Sequence, residues 1–132
     1  MMVGDLHTDD PRAAAVDGMA RFLAQFDGSQ TVAVAAHFDA DGLSAAAILV
    51  RALRATGRPA EPVIVGKAQT PWDDAFADRL RGLDPGGLIL ADLGTRAEPV
   101  LPGVPTLVID HHRPTGTPPD AVTLSGHTLE PE

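Results

Sequence analysis

The sequence predicts an α/β domain: an open, doubly wound and mainly parallel sheet with helices on its faces. Three observations carry this expectation. Apolar runs at residues 31–36, 87–91 and 106–109 lack polar alternation, the pattern of strands covered on both faces in a parallel sheet. Segments with helical spacing separate the runs, and strands alternating with helices pair in parallel through right-handed crossovers. Each run also passes into acid, at Asp39, Asp92 and Asp110. The carboxyl ends of strands are where such sheets place their ligands.

The elements follow in order. Asp10 before Pro11 is an N-cap and N1 pair, and Ala15, Met19, Phe22, Leu23 and Phe26 keep helical spacing, so a helix is expected over about 11–27. A strand follows at 31–37. Alanine, leucine and arginine at helical spacing predict a helix over 43–55, stopped by Gly57 with Pro59 beyond. A short strand is expected at about 62–65, a helix at about 72–80 opened by Pro71, a strand at about 88–91 and a strand ending at Asp110. Pro99 and Pro102 leave room for only a turn or two of helix between the last two strands. Residues 1–10 read as a flexible tail, 11–115 as one domain, and 116–132 as an extended segment. Its ending, Glu130-Pro131-Glu132, is that expected of a chain cut from a longer reading frame.

Composition narrows the chemistry. The chain has 132 residues, enough to bury roughly two-thirds of its unfolded surface in one core. Net charge is −8, which argues against a broad basic patch neutralising a nucleic-acid backbone. There is no cysteine, so thiolate nucleophiles, zinc ribbons and iron–sulfur clusters are excluded, and any metal must sit on oxygen and imidazole. No apolar run is long enough for a membrane span and no basic, apolar leader opens the chain, so the expected location is cytoplasmic. The oligomeric state is not legible.

The acidic strand ends are the candidate site. His37, Asp39 and Asp41 are two residues apart and would share one face of an extended strand, with Gly42 allowing a sharp turn and Asp41 able to cap the next helix. The plainer reading is a turn with an N-cap. Asp92 before Leu93-Gly94 reads equally as a turn former. Asp110-His111-His112 is the stronger signal, because adjacent histidines point differently, so one can coordinate metal while the other faces a substrate phosphate or orients its neighbour. Three such clusters at strand ends of one sheet favour a shared metal site. Lys67 and Arg113, each near a strand end, are candidate phosphate contacts, against the alternative of solvated loop charges. Phe22, Phe26, Trp72 and Phe76, in i, i+4 pairs, read as core. Ser125 and His127 lack the elbow and partner of a serine hydrolase.

In combination, His37-Phe38-Asp39-Ala40-Asp41-Gly42, Asp92 and Asp110-His111-His112 resemble the first three motifs of the DHH phosphoesterases, and most closely the branch containing the RecJ single-strand exonucleases. The resemblance implies a two-metal hydrolase, usually manganese-dependent with magnesium as a substitute, cleaving phosphoester bonds of a nucleic acid or small nucleotide. It implies that His37 and Asp39 bind one cation, Asp41 and His111 the other, and Asp92 both. Asp110 would support the pair, and His112 would contact the scissile phosphate. A pair of cations suits this chemistry, since it activates water and stabilises the charge of an in-line displacement without a protein nucleophile. The family's fourth motif, an aspartate several dozen residues after DHH, has no counterpart; Asp120 comes too soon. The alternative is therefore a non-catalytic DHH-fold module.

Overall fold

The computed structural model describes residues 10–113 and 115–126. The expected tail up to residue 9 and the final residues 127–132 lie outside them. The elements are α1 (Pro11–Leu23), β1 (Val32–His37), α2 (Ala40–Ala55), β2 (Ala60–Val65), α3 (Asp74–Arg81), β3 (Gly87–Ala91), β4 (Thr106–Asp110) and β5 (Val122–Ser125). The strands form one five-stranded sheet in the order β2-β1-β3-β4-β5, every pairing parallel. The doubly wound α/β expectation is met.

Alternation along β1 sorts the core into two layers. Val32, Val34 and Ala36 face one side with Phe22, Val50, Leu53, Ile89 and Leu107, beneath α1 and α2. Ala33 and Ala35 face the other with Val63, Phe76, Leu80, Leu90, Leu101 and Val108, beneath α3 and the chain between β3 and β4. Residues Val32 to Ala36 are fully buried, which explains the absence of polar alternation.

Four local expectations are corrected. α1 ends at Leu23 rather than 27, yet Phe26 still packs edge-on against Phe22 at 5.2 Å between ring centroids, so its periodicity reported packing and not helix. α3 begins at Asp74, because Pro71 and Trp72 belong to a turn closed by Thr70 on Asp73. Between β3 and β4 none of the described residues is helical; Val100 and Leu101 cover the sheet from turns instead. Within the segment expected to be merely extended, Val122–Ser125 pairs with β4 as a fifth strand. α1 packs closely on it, since a Cβ at Gly18 would lie 2.7 Å from Leu124 Cδ2.

β1 lies between β2 and β3, so the chain leaves β1 to one side and returns to the other. The crevice beyond the carboxyl ends of β1 and β3 is the position where such sheets bind ligands.

Candidate metal centre

β1 delivers His37 to that crevice, and the chain turns at once into α2. The turn is fixed by Asp39, whose carboxylate accepts the Gly42 N–H at 2.9 Å as the helix N-cap. The strand stops at His37 and helix starts at Ala40, so the expected run of His37, Asp39 and Asp41 on one strand face does not form. Asp39, not Asp41, is the cap; Asp41 sits in the first helical turn. The physical reason is Gly42: a Cβ there would lie 2.0 Å from the His37 carbonyl oxygen, and only glycine lets the helix begin this close to the strand end. His37 and Asp39 still meet, with Nδ1 and Oδ2 3.0 Å apart. That imidazole nitrogen is buried and has no aligned hydrogen-bond partner.

β3 delivers Asp92. It is 8% exposed and holds a φ of 60°, the left-handed region that costs a non-glycine residue about 1–3 kcal/mol. His111 Nε2 lies 2.9 Å from Asp92 Oδ1. A carboxylate oxygen of Asp92 also lies within 4.8 Å of one of Asp39, and the two groups are driven apart in acidity. Burial, followed by Asp39, pushes Asp92 above the usual carboxylate range, whereas the Gly42 N–H holds Asp39 below it.

β4 delivers the rest. Asp110, buried, accepts from the Gly94 N–H at 3.3 Å and the His112 N–H at 3.0 Å, and pairs with His112 Nδ1 at 2.7 Å. With the carboxylate accepting, the Nδ1 proton is fixed and Nε2 is the open nitrogen. The same bond to Asp110 raises the His112 pKa, against burial. A raised folded-state pKa stabilises the fold fully below the ordinary imidazole range, and the gain is lost as pH rises through the folded value. In Asp110→Asn the His112 pKa is expected to fall back toward the ordinary value, measured by imidazole NMR titration of metal-free protein. An unchanged pKa would mean another carboxylate holds the proton.

Ligand atoms of His37, Asp39 and Asp92 lie within 4.8 Å of one another, and so do those of Asp92, His111 and His112; Asp92 belongs to both groups. Asp41 is at the margin, 4.0 Å from His111 Nε2. Among the described residues no lysine or arginine pairs with Asp39, Asp41, Asp92 or Asp110. Oxygen and imidazole donors without a protein counter-cation, one imidazole nitrogen being orphaned, fit a divalent metal such as manganese.

Two cavities flank the cluster. One, of about 220 Å³, is lined by Asp41, Ala45, Ile109 and His111. The other, of about 330 Å³, joins His37, Asp92 and His112 to Gln69, Trp72 and Arg96. Lys67 and Arg113 are exposed and line neither. Arg96 does, although no pattern in the sequence marked it, and Trp72 lines the cavity while also packing on the core. Asp120 lines a separate cavity at the start of β4, away from the cluster.

A sequence model of the DHH family, N-terminal domain, matches residues 31–129. The chain belongs to the DHH family. This DHH domain is similar in fold to RecJ from Thermus thermophilus, solved in complex with Mn2+. The TM-score is 0.69 at 24% identity, over 89% of this chain and 18% of that one. It is similar also to an exonuclease RecJ bound to manganese, with a TM-score of 0.70 at 26% identity, over 88% of this chain and 31% of the other. The chain thus spans less than a third of either protein. No curated protein sequence matches it. No helix of the described residues is long and apolar enough to cross a membrane.

Proposed function

We propose that this DHH domain is the catalytic part of a phosphoesterase that hydrolyses phosphodiester or phosphoanhydride bonds of a nucleic acid or small nucleotide with two divalent cations, manganese by preference. The observation that carries the reading is the membership of Asp92 in both ligand groups. His37 and Asp39 would hold one cation, His111 the other together with the exposed Asp41, and Asp92 both. When bound, the cations would supply Lewis-acid activation of water and neutralise phosphoryl charge. His112, oriented by the Asp110 carboxylate on Nδ1, would contact a phosphoryl oxygen through Nε2. Asp110 acts through His112 and through the Gly94 turn, which it ties to β4.

Calorimetric titration with manganese is expected to find two ions in the parent and neither at full affinity in Asp92→Ala. Hydrolysis of a simple phosphodiester should fall by a factor of about 100 or more in that variant. Unaltered manganese binding would remove the shared-ligand role. A second reading, a non-catalytic metal-binding module, is favoured by one observation: among the described residues no further acid joins the cluster. Manganese binding without hydrolysis of any phosphoester is its signature.

A further inference from the structure

A cavity of about 330 Å³ opens at the amino end of the sheet, between the starts of β4 and β5. The length of β4, about 13 Å at the rise of a strand, separates it from Asp110. Its volume falls at the low end of small-molecule sites. Pro99, Pro102, Pro105, Pro118 and Pro119 line it, and a proline nitrogen carries no hydrogen. The N–H groups of Val104 and Ala121 are spent on the Leu101 and Pro118 carbonyls. The Thr106 hydroxyl, on a residue 7% exposed, donates to the Val104 carbonyl at 2.9 Å. Gln25 gives one amide N–H to the Arg21 carbonyl at 3.2 Å.

The side chains are therefore left with a single donor, the second amide N–H of Gln25. Against it stand the Gln25 Oε1, the lone pairs of the Thr106 hydroxyl and the Asp120 carboxylate. Among the described residues no lysine or arginine lines the cavity and Asp120 forms no ion pair, so its one charge is negative and uncompensated. Such a lining rejects anions and selects a cation that brings its own N–H donors. The net charge of −8 favours the approach of a cation. Among the described residues no aromatic ring lines the cavity, so it lacks the cage that holds a quaternary ammonium; a primary ammonium, with three donors, is the complement. Leu101, Val104 and the proline rings supply an apolar wall for the carbon stem of such a group.

We propose that this cavity binds a primary alkylammonium, its stem against the prolines and its charge on Asp120, with the further acceptors drawn from Gln25 and Thr106. One carboxylate matches one charge, so the ligand class is a monoammonium on a short aliphatic chain. A free small amine and a lysine side chain share this chemistry. The site lies at the opposite end of the sheet from the metal cluster and does not depend on the reading of that cluster.

The full chain, labelled with 15N, is titrated in excess magnesium, which competes for the acidic cluster. The probes are n-butylammonium, n-butanol, tetramethylammonium and Nα-acetyl-lysine methylamide. The amides of Leu101, Val104 and Ala121 are expected to shift with n-butylammonium at concentrations about tenfold lower than with n-butanol or tetramethylammonium. Asp120→Asn, an isosteric change at an exposed position, should bring n-butylammonium to the level of n-butanol while the rest of the spectrum is unchanged. The tighter of n-butylammonium and Nα-acetyl-lysine methylamide identifies the source, a free amine or a protein side chain. Four results overturn the proposal: no shift with either amine, shifts confined to residues around Asp92 and His111, equal affinities for n-butylammonium and n-butanol, or an advantage that survives in Asp120→Asn.

Discussion

Asp92→Asn is expected to unfold at a higher temperature than the parent in metal-free buffer and at a lower temperature in manganese. The carboxyl of Asp92 is 8% exposed, lies close to that of Asp39, and its pKa is raised chiefly by burial. An acid whose folded pKa lies above its unfolded value binds its proton more tightly in the folded state. Stability is then greatest below the unfolded pKa and falls as pH rises through the folded one. At neutral pH the metal-free fold therefore carries the cost of this group. Asparagine is isosteric, tolerates the φ of 60° as well as any side chain other than glycine, and can still accept from His111 while donating to Asp39. Removing the charge should gain about 1–2 kcal/mol, or several degrees in melting temperature. In manganese the sign reverses. A ligand at a hundred times its Kd stabilises the parent by about 2.7 kcal/mol, and a variant without the shared carboxylate forfeits most of it. Thermal melts of both proteins, with chelator and with manganese, give the four values. If the variant gains as much from manganese as the parent, Asp92 is not a shared ligand. If it is no more stable in chelator, the buried carboxyl carries no cost.

Gly42→Ala is expected to destabilise the chain by about 3 kcal/mol or more, or to prevent folding. Helix propensity argues the opposite, since alanine in a helix is favoured over glycine by about 1 kcal/mol. Position 42 lies within the first turn of α2. The clash decides the sign. The added Cβ would meet the His37 carbonyl oxygen at 2.0 Å and its carbon at 2.6 Å, and both are backbone atoms with no rotamer to yield. Relief requires moving the start of α2 away from β1, which separates Asp39 from His37. Urea denaturation, with exposed Ala47→Gly as the propensity control, reads this out. A Gly42→Ala protein as stable as the parent would show that strand and helix are not in such close contact.

The parts of this molecule that were legible in its sequence are those where one physical cause dominates. β1, β3 and β4 are buried on both faces, and continuous apolar runs mark them. The clustering of the proposed ligands was legible because they sit at the ends of these strands, where buried backbone gives way to a crevice. β5 was not. It has four residues, two of them Thr123 and Ser125, and its place comes from α1 closing over it at Gly18, a contact more than a hundred residues distant in sequence. Asp41 was misplaced because period-two reasoning was carried past the end of the strand, where capping by Asp39 wins over extension. Arg96 carried no signal, and Trp72 was legible only as a core ring. One is a loop cation, the other an apolar ring near a helix start, and only the fold brings them into stacking contact.

The strand order has a further consequence. β1, β3 and β4, which carry the proposed ligands, are neighbours, whereas β2 is at the edge of the sheet. Everything from β2 to α3 is an outward excursion that departs from one ligand strand and rejoins the next. Insertions or rebuilding between residues 66 and 73 would change the length of that excursion without altering the register of β1 on β3, and each doubling of a loop costs only about 0.6 kcal/mol in closure entropy. Gln69 and Trp72 lie in this stretch. The proposed cation ligands and the Gln69–Trp72 wall of the adjoining cavity are thus encoded in separable parts of the chain, and that wall can be exchanged while the ligand-bearing strand ends are left in place.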